Sequence, residues 1–304
     1  MMEQNVIVKK MKQKNVKRNI FIFCMLALPI LQFLVFFVYV NFNTILMSFQ
    51  VRGQTVTWGL GNYTRFFKEI GAKAEFGYAI RNSILFGIND IFLLLISVIF
   101  AFFFYKKIAG AGMFRLVFFL PSVISMVIFV MVYKYMFDYG IVAKVFGLFG
   151  LGKFAPELDY GADYLVYLVM FYCLWVGTGY NILIIGGAMA NLPEDVMEYS
   201  RLEGVNYFTE LFRIVIPMIW PTISVGILGS VTVMFTLFMQ IDLLTEYGGA
   251  FGQAKTIAYV INSIVKGNGN LEWASTLGIC FTIIAIPIII TVRVVLEKVG
   301  DHFN

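Results

Sequence analysis

Charge is scarce in this chain. Asp, Glu, Lys and Arg make up 13% of its 304 residues, where a soluble domain carries about 25%. Histidine is nearly absent, with His302 alone close to the end. That rules out Ser/His/Asp and His-Glu-x-x-His chemistry and leaves a zinc or relay role nothing to stand on. There is no nucleophile elbow and no Gly-x-x-x-x-Gly-Lys-Ser/Thr, so the chain has no phosphate-cradling loop of its own. Cys24, Cys173 and Cys280 lie in apolar runs without metal or disulfide spacing and read as small buried hydrophobes. The apolar runs also lack the series of acidic and basic residues that a proton relay uses. What the chain has instead is 60% hydrophobic residues. This composition is that of a multi-span, all-α integral membrane protein, stabilised by lipid and helix packing. The net charge of +5 sits largely in an N-terminal cluster, and in so apolar a chain it does not point to nucleic acid. Such a protein moves something, and the energy comes from elsewhere.

Residues 1–19 form a basic tail, with Lys9, Lys10, Lys12, Lys14, Lys17 and Arg18 against Glu3. The apolar run that follows, to about 47, is too long for a signal peptide and shows no small-residue cleavage site, so it reads as an uncleaved first span. The basic cluster puts the N-terminus in the cytoplasm. Further spans are expected at about 78–104, 113–137, 163–189, 214–239 and 276–296. That makes six with both termini inside, a transmembrane domain over 20–296 and a cytoplasmic tail over 297–304. The second span ends at Lys106 and Lys107 and carries Asn89-Asp90 near its middle. An ionisable group at that depth is either functional or hydrogen-bonded to a neighbouring helix. Pro121, Ser122 and Ser125 can bend the third span. The fourth contains Trp175-Val176-Gly177-Thr178-Gly179-Tyr180-Asn181. Its small residues permit close helix approach or a broken helix lining a cavity. Its aromatic and amide side chains suit a sugar, but helix packing alone also accounts for them.

The stretch 191–217, NLPEDVMEYSRLEGVNYFTELFRIVIP, does not belong in hydrocarbon. Glu194, Asp195, Glu198, Glu203, Glu210, Arg201 and Arg213 would each cost several kcal/mol there. Pro193 suits a first helical turn, with Glu194 and Asp195 at the positive end of the helix dipole. Gly204 suits a left-handed stop, and Asn206 can cap a second short helix that runs towards Pro217. The expectation is a helix–turn–helix on the membrane surface. A solvated connector would satisfy the composition alone.

The spacing says more. Glu198-Tyr199-Ser200, three residues, Gly204, nine residues, then Ile214-Val215-Ile216-Pro217 resembles the EAA motif of ABC importer permeases. Tyr199 and Ser200 replace two alanines, Glu203 an aspartate and Ile216 a leucine. Leu60, Asn62 and Tyr63, Pro121-Ser122, and Gly248-Gly249 are similar to other signatures of that family's carbohydrate-uptake branch, the maltose-type and glycerol-phosphate-type permeases. Glu272-Trp273-Ala274-Ser275 matches a further one in part.

The resemblance implies a type I ABC importer permease fold in the bacterial cytoplasmic membrane, multi-pass, with a cytoplasmic coupling loop over 191–213. Glu198, Tyr199, Ser200, Arg201, Glu203, Gly204, Ile214 and Pro217 would carry ATPase coupling. The implied partners are a second homologous permease, an ABC ATPase dimer that binds ATP and magnesium, and an extracellular or periplasmic solute-binding protein. The chain itself would be non-catalytic, without cofactor or metal. A sugar or oligosaccharide is the implied solute. Asn89, Asp90, Trp175, Tyr180 and Asn181 are candidates for its path, chosen by depth and chemistry. The alternative is a secondary transporter driven by an ion gradient, with Asp90 as its titrating group; a membrane scaffold or enzyme stands behind both.

Overall fold

The computed structural model describes residues 2–53, 56–106 and 110–303. They fall into two compact units, residues 1–65 with 270–279, and residues 66–269 with 280–304.

In the first unit, α1 (Met2–Gln32), a π-helical stretch (Phe33–Tyr39) and α2 (Val40–Ser48) form one continuous helical run, basic in sequence to Arg18 and apolar beyond it. Helix begins at Met2, so the basic segment expected as a tail continues into the span. None of the apolar window of Lys17–Ser48 is buried. A helix apolar on all sides suits hydrocarbon, because its backbone polar groups are satisfied internally. Cys24 is therefore exposed, not buried as the sequence suggested. Strand β1 (Gln50–Arg52) pairs antiparallel with β2 (Val56–Trp58), and α3 (Gly61–Ala72) follows. The Asn62 amide donates to the Gln50 carbonyl at 2.9 Å, and the Tyr63 hydroxyl meets that of Ser48 at 2.7 Å. Arg65 lies 4.3 Å above the Trp273 ring.

The second unit is built on α4 (Ala74–Tyr105). The third apolar run breaks into α5 (Ala111–Val123) and α6 (Met126–Asp138), at 108° to each other. The expected bend is present, but it falls at Ile124 and Ser125, both extended at ψ 140° and 133°. Pro121 has no N–H to give the Val117 carbonyl, and the Ser122 hydroxyl donates to the Phe119 carbonyl at 2.7 Å. Next come α7 (Ile141–Leu148), the long α8 (Leu165–Ala190), α9 (Glu194–Leu202) and α10 (Tyr207–Glu210). The fifth run is not the single helix expected. A π-helical turn (Leu211–Val215) and α11 (Ile216–Met218) meet α12 (Trp220–Thr236) at 80°. Pro217 and Pro221 each remove an N–H from the ladder, which is the ordinary cause of such a kink. Last are α13 (Met239–Leu244), α14 (Ile257–Asn268) and α15 (Leu271–Phe303). The last helix takes in most of the segment expected as a separate tail.

Among the described residues, four helices are long and apolar enough to cross a membrane, or up to six if each bent pair is one span. Two apolar clusters lie along α4. Near its C-terminus, Phe102, Phe104, Met189, Met197, Leu211 and Val215 pack together. Nearer its start, Phe86, Phe129, Tyr133, Tyr172, Ile241 and Leu244 do so. Glycine sets how closely the helices approach. A Cβ on Gly177 would strike Leu93, one on Gly87 would strike Met234, and one on Gly226 would strike Leu94. Of the two possibilities for the small residues of α8, close approach is the one observed, since the helix is continuous.

Candidate functional site

The loop 191–217 folds as the helix–turn–helix its sequence suggests. Helix α9 carries Glu194 and Asp195 in its first turn. Pro193 stands just ahead of the helix, not in its first turn, and its carbonyl receives the Met197 N–H. Gly204 adopts φ 67°, and the Val205 N–H reaches back to the Ser200 carbonyl at 3.1 Å. This is a Schellman stop, which needs a left-handed residue after the helix end. Asn206 starts α10 through its extended backbone at ψ 148°, but its side chain makes no capping bond.

Helix α9 has two unlike faces. Met197 and Ser200 are buried, and the Ser200 hydroxyl donates to the Met197 carbonyl. Glu198, Glu203 and Gly204 are exposed. Tyr199 is 69% and Leu202 79% exposed, and Phe208 is exposed beyond the turn. Large apolar side chains clustered among charges outside the apolar spans mark a contact surface. Ser200 thus lies on the inner side of the helix, and Met197 joins the apolar cluster beneath it. Ile214 and Pro217 are half-buried at the start of the bent fifth run. The Arg201 side chain and Lys107 lie outside the described residues.

One feature of this site gave no signal that stood out in the sequence. The Lys106 ammonium, just past α4, donates to the Glu210 carboxylate, with Nζ 2.5 Å from both Oε1 and Oε2. Glu210 is buried, the aliphatic stem of Lys106 lies along the protein, and its Nζ stands 5.5 Å above the Phe102 ring. The Tyr207 ring packs 4.7 Å from that of Phe102. Burial, and then the Glu210 charge, push the Tyr207 phenol above its usual pKa. The available hint was two opposite charges ending apolar runs expected on the same side. Beside the loop, a cavity of about 1100 Å³ opens between α4, α5 and α8, lined by Arg115, Gly186, Gly187, Ala190, Leu192 and Glu194 among others.

The path residues do not converge. The Asn89 amide donates to the Met170 carbonyl at 3.2 Å, and Asp90 lies near Ser230, whose hydroxyl donates to the Gly226 carbonyl of its own helix at 3.2 Å. Trp175 packs edge-on against Phe129, with ring centroids 5.2 Å apart. The Asn181 amide turns back to the Gly177 carbonyl of its own helix. Tyr180 alone points outward, 60% exposed. The sequence did not single out Tyr172, whose buried hydroxyl has no hydrogen-bond partner among the described residues. No group of three or more His, Cys, Asp or Glu among the described residues could hold a metal ion.

This architecture has close counterparts. A probable ABC transporter permease of Mycoplasma genitalium is 28% identical over 236 residues, 72% of this chain and 70% of its own. The alpha-glucoside transport system permease AglF of Rhizobium meliloti is 23% identical over 293 residues, 91% of this chain and 83% of its own. Among solved structures, a chain of a bacterial alginate ABC transporter, in complex with an alginate pentasaccharide-bound periplasmic protein, superposes with a TM-score of 0.80. It has 18% identity and covers 94% of this chain and 97% of that one. The family described as binding-protein-dependent transport system inner membrane component matches residues 93–301. That stretch holds the EAA-like loop and every span from the second half of α4 onward, and the chain belongs to this family of ABC importer permeases.

Proposed function

We propose that the chain imports a sugar or oligosaccharide together with a second homologous permease, two ATPase subunits and an external solute-binding protein. The observation that carries this is the two-faced helix α9, with Met197 and Ser200 inward and Glu198, Tyr199 and Leu202 outward. An amphipathic helix held on a bundle by one face presents the other to a partner. The ATPases bind ATP and magnesium, and their closure moves α9. The spans then rock between inward-facing and outward-facing states, and the binding protein delivers its solute. The loop and both termini are cytoplasmic, and the membrane is the bacterial inner membrane. The solute class is supported by the alpha-glucoside and alginate proteins, whose names state carbohydrate. The exposed ring of Tyr180 suits stacking on a sugar face.

The test is a pull-down of the tagged chain from mild detergent, followed by uptake in vesicles with ion gradients collapsed. Recovery of an ATPase and a second six-span protein, with ATP-dependent sugar uptake, is the expected result. A homo-oligomer without ATPase, dependent on an ion gradient, would return the weight to a secondary carrier.

A further inference from the structure

Helix α4 is tied down at both ends by charge. At one end is the Lys106–Glu210 pair, which fastens it to α10 in the EAA-like loop. At the other, Lys255 Nζ lies 2.5 Å from Glu75 Oε1. The same end binds the glycine-rich segment 245–256 through its backbone. The Asn82 amide donates to the carbonyls of Gln253 at 2.7 Å and Lys255 at 2.9 Å, and the Ile257 N–H donates to the Ser83 hydroxyl at 3.0 Å. The segment turns on left-handed residues at Gly248, Gly249 and Gly252, and on Tyr247 at φ 53°. Buried Gln253 pins it further by donating to the Tyr160 carbonyl at 3.0 Å. Between these ends α4 is unbroken for 32 residues.

We propose that α4 is a strut that carries movement of the EAA-like loop to the segment 245–256 on the far side, with Lys106 and Glu210 as positioning residues at its driven end. The proposal rests on the importer reading and adds a route within it. A rigid helix transmits displacement only if its ends are fastened, and apolar packing alone lets side chains slide between similar minima. Sliding the loop past α4 would separate Lys106 from the buried Glu210 and strand a charge, so the pair resists that movement. Its removal frees the loop to move without α4.

The experiment uses the whole complex with the cysteines Cys24, Cys173 and Cys280 replaced and one introduced by Phe251→Cys, a position 79% exposed in the far segment. Its labelling by a membrane-impermeant maleimide is followed with and without vanadate-trapped nucleotide. With Lys106 and Glu210 in place, trapping changes the labelling rate by about tenfold or more; in Lys106→Glu or Glu210→Lys that change collapses, and the double exchange restores most of it. The ratio of sugar-stimulated to basal ATPase follows the same pattern. Lys106→Met with Glu210→Gln removes both charges, leaves none buried alone, and keeps the complex assembled; here too the labelling change is lost. A full labelling change in the Met/Gln variant, or no recovery in the double exchange, overturns the strut. A parent complex that hydrolyses ATP and imports sugar while Phe251→Cys labels equally in both states overturns it as well. A parent chain that binds no ATPase overturns the importer reading and the strut together.

Discussion

A methyl group on Gly179 of α8 would overlap the carbonyl oxygen of Phe118 on α5. The obstacle is backbone, which cannot rotate aside as a side chain can. Gly179→Ala therefore forces the two helices apart. The expected cost is about 1–3 kcal/mol, in the range for overpacked cores. Thermal denaturation of the detergent-solubilised chain measures it. Gly186→Ala, where nothing lies within 4 Å, is the control and should leave the midpoint unchanged.

Gly204 ends α9 at φ 67° with open space around it. If its part is purely conformational, Gly204→Asn keeps uptake, because Asn tolerates the left-handed region, and Gly204→Ala costs about 1 kcal/mol of loop stability. Gly204→Asp adds a charge at the C-terminal, negative end of the helix dipole and facing the partner, and is expected to abolish uptake while the protein still inserts. Equal uptake by the Asn and Asp variants would remove the loop from the contact.

Glu198 is exposed on the same face as Tyr199. Glu198→Lys and Tyr199→Ala should leave membrane insertion intact and lower ATPase recovery in a pull-down by about tenfold, the scale of an interface hot spot. Ser200→Ala acts from the buried side. It removes one hydrogen bond to the Met197 carbonyl and should cost about 1 kcal/mol of stability with little change in ATPase recovery.

Asp90 meets Ser230 across the α4–α12 contact. Asparagine keeps the shape and removes only the charge, so Asp90→Asn should hold uptake within about threefold, less than 1 kcal/mol. A titrating carboxylate in a gradient-driven carrier would lose uptake entirely with the same change. Ionophore treatment of parent vesicles gives the second readout, with no effect expected.

Tyr180→Ala should raise the KM for sugar without shifting the thermal midpoint, because its ring is exposed. Trp175→Ala should do the reverse. Its ring packs on Phe129, and truncating a packed aromatic costs about 3–5 kcal/mol.

The sequence was most legible where chemistry is local. The Gly204 stop, the acidic first turn of α9 and the need to bend near Pro121 each follow from a few adjacent residues. What it hid depends on distant partners. Glu210 reads as one more loop carboxylate until Lys106, 104 positions earlier, is seen beside it. Asn89 reads as a mid-span candidate until the Met170 carbonyl accounts for its amide. The kink of the fifth run was missed because its apolar composition continues through Pro217 and Pro221, and hydropathy does not register a lost N–H.

The dimensions of α4 bear on the lipid around it. Thirty-two helical residues extend about 48 Å at 1.5 Å per residue, while a bilayer's hydrocarbon is about 30 Å thick. Both ion pairs at its ends therefore lie beyond the hydrocarbon, Lys106–Glu210 enclosed by protein and Lys255–Glu75 more open to water and headgroups. The helix can lean to meet a thinner or thicker membrane without drawing either pair into oil. Transport should then tolerate a change of acyl-chain length better than a change of headgroup charge.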